Sequence, residues 1–208
     1  MKNIHFEITP LLHSMSILEN TTKAVRDKKG GALINALRSL EKTVYMGDTV
    51  AKDLLGTLLD RASVPYAEIL SIWLQTGRLH DPYEEFMVKK TQHAQNGVEL
   101  DGDTWAELFT FSEEHVVNDI IRNEKTKNRI LVTGKYWNAV QACIVDNLSL
   151  EETTSGQLEL RKLQFQSDLS DISAHINSMY ESASSKLMHL LRDQFHLRES
   201  LQIMKRYF

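Results

Sequence analysis

The sequence has little of what defines several protein classes. Its 208 residues include one cysteine, Cys143, which excludes an internal disulfide framework and favours a reducing compartment. Three prolines and nine glycines are too few for a turn-rich β-sandwich. No segment approaches the ~20 apolar residues that span a bilayer, and the N-terminus lacks the apolar stretch of a secretory signal. We therefore expect a helical protein of the cytosol or nucleus with no membrane partner.

Basic charge is also scarce. Lys and Arg number 24 against 28 Asp and Glu, a net charge of −4, so there is no general cationic surface for phosphate backbones. Acidic side chains concentrate in residues 91–160, which carry 12 acidic and 5 basic groups. Nucleic acid is therefore not expected as a partner. A composition of 42% hydrophobic and 25% charged residues is typical of a globular chain that buries a core.

Apolar residues recur at helical spacing from the start of the chain. Thr9-Pro10 combines an N-cap with proline at the first helical position and predicts a helix over about 10–29. Gly30-Gly31 supplies its stop. The apolar pattern from Ala32 to Thr43 predicts a second helix.

Two further helices are predicted before residue 78. Asp48 can cap a third helix, whose apolar stripe runs from Val50 to Ala62. Ser63-Val64-Pro65 is expected to interrupt the chain, because proline breaks a helix interior. The fourth helix then carries Tyr66 and Trp73 and stops at Gly77.

Asp81-Pro82 repeats the combination of a capping residue and proline. Glu84 and Glu85 would lie in the first turn, where the helix dipole favours negative charge. The pattern predicts another helix here, with Phe86-Met87-Val88 anchored in the core.

The region after residue 90 alternates between polar and apolar segments. Residues 92–103 read as a loop, and Trp105 to Phe111 is compatible with a short strand or a helix. Ser112 is predicted to cap a helix carrying Val116, Val117, Ile120 and Ile121. The polar stretch 122–129 is either an exposed helical turn or a break before the apolar pattern resumes at 130–144.

The last third contains no proline. Residues 146–157 are predicted as a surface loop, and 158–208, with neither glycine nor proline, as two long helices or one bent helix. Together these patterns predict an all-α fold of stacked antiparallel helical bundles, with long helices in the C-terminal third.

Candidate catalytic motifs are incomplete. Thr133-Gly134-Lys135-Tyr136 lacks the upstream glycine of a phosphate-binding loop and the Ser or Thr that would reach Mg²⁺. Cys143 lies among apolar residues with no nearby cation in the sequence to lower its pKa, which indicates a core residue rather than a nucleophile.

Two pairs of residues have the spacing of metal ligands on one helix face. Asp171 and His175 are four apart, and His189 and His196 are two turns apart. Two ligands on a face do not make a tetrahedral set, and solvated helices often carry such pairs. No metal, cofactor or catalytic residue is therefore expected.

The octapeptide Asp81-Pro82-Tyr83-Glu84-Glu85-Phe86-Met87-Val88 is the most specific of five segments that together carry a family resemblance. The others are Ala62 to Leu70 with Trp73 and Gly77, Thr104 to Thr110, Ile130 to Asn138, and Leu201 to Phe208. In order and approximate spacing they resemble the gamma-tubulin complex component (grip-motif) family, and its component 2 group most.

The resemblance implies a two-part helical scaffold without catalytic residues. Its N-terminal half would pack laterally against paralogous components such as component 3, and its C-terminal half would bind gamma-tubulin at a microtubule-organising centre, the centrosome or spindle pole. Because family members are several times longer, 1–150 would be the later part of the first half. A connecting segment, 151–177, would lead to 178–208, the opening helix of the second half.

The motif residues would then have structural or interface roles. They are Pro65, Tyr66, Trp73, Asp81, Pro82, Tyr83, Glu84, Glu85, Phe86, Trp105, Thr133, Gly134, Lys135, Tyr136, Lys205, Arg206, Tyr207 and Phe208.

Two other functions remain open from the residues alone. One is a generic helical adaptor, unrelated to tubulin, whose exposed apolar strips bind partner helices. The other is an enzyme that uses Asp171, His175 or Cys143. The octapeptide at 81–88 together with the segment 133–136, in that order, favours the scaffold.

Overall fold

The computed structural model describes residues 2–44, 46–91, 108–118, 121, 123–146 and 169–193. These residues form helices with one small antiparallel sheet, which confirms the all-α class. In chain order the elements are α1 Lys2–Val25, α2 Gly30–Ser39, α3 Thr49–Thr76, β1 Val88–Lys90, β2 Phe109–Phe111, α4 Glu124–Asp146 and α5 Leu169–Asp193.

Helix α1 begins well before the position that the sequence predicts. Pro10 was expected at the first helical position, but it lies inside the helix. Residues 8–12 around the proline are solvent-exposed. The helix ends at Val25 rather than residue 29, and Asp27 follows in the left-handed region at φ 61°.

One face of α1 contacts the rest of the protein and another does not. Ile17 and Thr21 are buried, and the Thr21 hydroxyl donates to the Ile17 carbonyl at 2.7 Å. A separate stripe of apolar side chains is exposed: Ile8, Leu11, Leu12, Met15 and Leu18. We refer to these five residues as the α1 stripe.

Helix α3 confirms both predicted ends and corrects the predicted middle. The Asp48 carboxylate accepts from the Ala51 N–H at 3.1 Å, and Gly77 ends the helix at φ 67°. The break expected at Pro65 is wrong, because α3 is continuous over 28 residues. Pro65 lies on the exposed face, whereas the next two residues, Tyr66 and Ala67, are buried, so packing holds the helix through the proline.

The helix predicted after Asp81-Pro82 is also absent. The chain makes a turn at 82–83 and enters β1, which pairs antiparallel with β2 in the register Val88 to Phe111. Of the two alternatives for Trp105 to Phe111, the strand therefore holds at 109–111. A backbone hydrogen bond flanks each end of the pairing. The Thr91 N–H donates to the Leu108 carbonyl at 2.9 Å, and the Ser112 N–H donates to the Met87 carbonyl at 2.7 Å.

The helix predicted after Ser112 shrinks to one 3₁₀ turn, Glu113–His115. The Ser112 side chain makes no capping hydrogen bond, and the backbone of Val116 is already extended. The turn therefore does not continue into a helix. Helix α4 begins instead after Asn123, whose side-chain oxygen accepts from the Thr126 N–H at 2.9 Å. The stretch 122–129 thus contains a helix start.

The core is shared by α2, α3, α4, α5 and the sheet. Helices α4 and α5 form the most extensive helix pair among the described elements. The long helix expected in the C-terminal third is α5, with 25 residues, although α3 is longer still. No helix in the described part of the chain is both long and apolar enough to cross a bilayer.

Several predictions lie outside the described residues. They are the loop at 92–103, Ile120, the loop at 147–157, the helical stretches 158–168 and 194–208 with His196, and the motif residues Trp105, Lys205, Arg206, Tyr207 and Phe208. The description also excludes the side chains of Cys143 and Asp171.

Candidate functional site

Trp73 of α3 lies against the backbone of α4. Its side chain is fully buried, and its indole N–H donates to the Ile130 carbonyl at 2.9 Å. A Cβ at Gly134 would lie 1.9 Å from indole Cε2 of Trp73, so only glycine permits this approach. Phe109 of β2 packs edge-on against the same indole, with ring centroids 4.8 Å apart. One tryptophan therefore joins α3, α4 and the sheet.

The C-terminal end of α3 makes a second close approach to α4. Gly77 combines a positive φ with tight packing, since a Cβ there would lie 2.5 Å from the Asn138 nitrogen and from the Gly134 carbonyl oxygen. Thr133 is fully buried, and its hydroxyl donates to the Arg129 carbonyl at 2.6 Å. The segment that resembled a phosphate-binding loop is thus the part of α4 that receives α3.

Tyr66 makes a similar link two turns before Trp73 in α3. Its hydroxyl donates to the His115 carbonyl at 2.8 Å, and its ring lies 5.2 Å from that of Phe86. Burial raises the pKa of the Tyr66 phenol far above its usual range, so the group stays a neutral donor. His115 itself is buried. We call Tyr66, Trp73, Phe86, Thr133 and Gly134 the helix junction.

Helix α2 is locked to the same region through its first residues. A Cβ at Gly30 or Gly31 would lie 1.9 Å from the carbonyl oxygen of Glu85 or His115, respectively. The Asn35 amide spans the adjoining loop, donating to Val116 at 2.6 Å and accepting from the Asn118 N–H at 3.1 Å.

Sequence reasoning missed these contacts. It treated Gly30-Gly31 as a helix stop, although a glycine pair is equally a signal of close backbone approach. His115 carried no signal, because its contribution is a backbone carbonyl.

The turn Asp81–Glu85 precedes the junction residue Phe86. Asp81 accepts from the N–H groups of Glu85 at 3.0 Å and Phe86 at 2.8 Å. Glu84 adopts φ 54°, and Lys29 donates to the Tyr83 carbonyl at 2.6 Å. The Tyr83 side chain is 74% exposed.

A polar and aromatic face joins α4 to α5. Arg129 donates to the Asn177 side chain and lies over the Tyr180 ring, 5.5 Å from its centroid. Tyr136 approaches the same ring at 6.1 Å, and burial together with Tyr180 raises the Tyr136 pKa. Burial lowers the pKa of the neighbouring Lys135 ammonium. This face fixes α5 against the same helix that receives Trp73.

The structure places the described motif residues in three parts of the fold. The helix junction brings five of them together, the turn Asp81–Glu85 contains five more, and Tyr136 lies on the α4–α5 face. Lys135, next to Tyr136 on α4, is half-buried, and Pro65 on α3 is exposed. Among the residues described, no three His, Cys, Asp or Glu side chains lie close enough to hold a metal ion.

The motif residues on α3 and α4 thus pack helices together, and the class of protein they define is an all-α domain built around a tight interhelical junction. The chain belongs to the gamma-tubulin complex component family: the family model described as "Gamma tubulin complex component N-terminal" matches residues 1–194.

Three curated proteins illustrate the similarity. The chain is 32% identical over 204 residues to spindle pole body component alp4 of Schizosaccharomyces pombe, which covers 92% of the chain and 25% of that protein. It is 28% identical to gamma-tubulin complex component 2 of Mus musculus over 100% of the chain and 22% of the mouse protein. Gamma-tubulin complex component 3 of Homo sapiens is 24% identical over 86% of the chain and 19% of the human protein. The chain thus spans a quarter or less of each relative's length.

Proposed function

We propose that this chain is a scaffold segment of the gamma-tubulin complex. It associates laterally with paralogous components, component 3 among them, and supports microtubule nucleation at microtubule-organising centres such as the centrosome or spindle pole. The single observation that carries the proposal is the family match over residues 1–194. The relatives support it, since they are named as components of the gamma-tubulin complex or of spindle pole bodies.

The close packing of α3 against α4 fits a protein that holds other subunits in fixed positions. Trp73, Gly77 and Gly134 bring α3 and α4 into backbone contact, and such close-packed interiors transmit strain rather than absorb it. A scaffold that positions other subunits needs this rigidity and needs no catalytic group. In the proposal, residues 1–150 belong to the laterally packing half, 151–177 connect, and 178–208 open the half that binds gamma-tubulin.

The test is immunoprecipitation of the natural full-length protein from cells, with immunoblots for gamma-tubulin and component 3. The wild type is expected to recover both. Trp73→Ala should lose them, because it opens the helix junction, whereas Gly56→Ala is the matched control, since a Cβ at Gly56 would meet nothing within 4 Å.

Recovery of folded wild-type protein without gamma-tubulin would contradict the scaffold proposal. It would favour the adaptor, for which the exposed α1 stripe offers an apolar surface.

A further inference from the structure

We draw no further inference here: the strongest candidate, the α1 stripe of exposed apolar side chains on the first helix, carries none, because nothing in the structure shows what covers it.

Discussion

Helices α1 and α3 have similar lengths, 24 and 28 residues, and each contains an internal proline, yet they occupy opposite roles. Helix α3 is covered by α2, α4 and the sheet, and its tryptophan is fully enclosed. Helix α1 is attached through a narrow face around Ile17 and exposes the α1 stripe. Apolar periodicity is present in both helices, but only contacts determine which apolar face becomes core.

The largest expected effect compares a side chain from each helix. Trp73→Ala removes the indole that joins α3, α4 and β2, and should lower the free energy of unfolding by about 3–5 kcal/mol. Leu12→Ala, in the exposed α1 stripe, should change it by less than about 0.5 kcal/mol. Urea unfolding of the two variants measures both values. Equal losses would show that α1 is as integral to the fold as α3.

The second prediction compares glycine-to-alanine substitutions at two sites, which are expected to change the stability of the protein in opposite directions. Gly134→Ala places a Cβ 1.9 Å from the Trp73 ring and should destabilise the protein by about 1–3 kcal/mol. Gly56→Ala in α3 meets nothing within 4 Å and should stabilise by about 0.5–1 kcal/mol. Thermal unfolding reads out both. If both variants are stabilised, the close approach of Trp73 to α4 is wrong.

A smaller effect concerns two residues in the left-handed region, Glu84 in the turn Asp81–Glu85 and Asp27 just after α1. Glu84→Gly relieves backbone strain at φ 54° and should stabilise by up to about 1 kcal/mol. Asp27→Gly, after α1 at φ 61°, should gain less, because aspartate tolerates this region better. Chemical denaturation of both variants makes the comparison. A loss of stability in Glu84→Gly would mean that its side chain, not its backbone, matters to the fold.

The smallest expected effect is a pH dependence at the contact between α1 and α3. The hydrogen bonds from the Ala51 N–H and His13 hold the pKa of the Asp48 carboxyl below its usual range. A carboxylate with a lowered folded pKa stabilises the protein above the unfolded pKa, and that contribution is lost as the pH falls through the folded pKa.

The variant Asp48→Asn keeps a capping oxygen but does not titrate. The wild type should therefore exceed it in melting temperature at neutral pH, and the difference should shrink below about pH 4. A difference that stays constant down to pH 3 would show that the Asp48 charge contributes nothing.

Features set by neighbouring residues were predictable from the sequence. The Asp48 cap and the Gly77 stop depend on backbone groups within four residues, and both are where the pattern places them. Pro65 was misjudged because its effect depends on which side of α3 is buried. Asp81 was misjudged because a carboxylate that accepts backbone N–H groups looks the same before a turn as before a helix.

The candidate site was predictable in its members but not in its arrangement. Trp73 and Gly134 lie far apart in the sequence. No local pattern indicates that the Trp73 ring leaves room only for glycine at position 134. The resemblance to a family brought both residues into one set. Their contact became visible only when α3 and α4 were placed together.

The pairing of β1 with β2 also brings together two residues that are distant in the sequence, because the Thr91 N–H donates to the Leu108 carbonyl at 2.9 Å. Lengthening a connection whose ends are held costs only about 0.6 kcal/mol for each doubling of its length. The fold therefore offers an internal insertion point for a fluorescent domain or an affinity peptide. Such a reporter would sit within the chain, so the protein could be imaged or captured without a tag at either end.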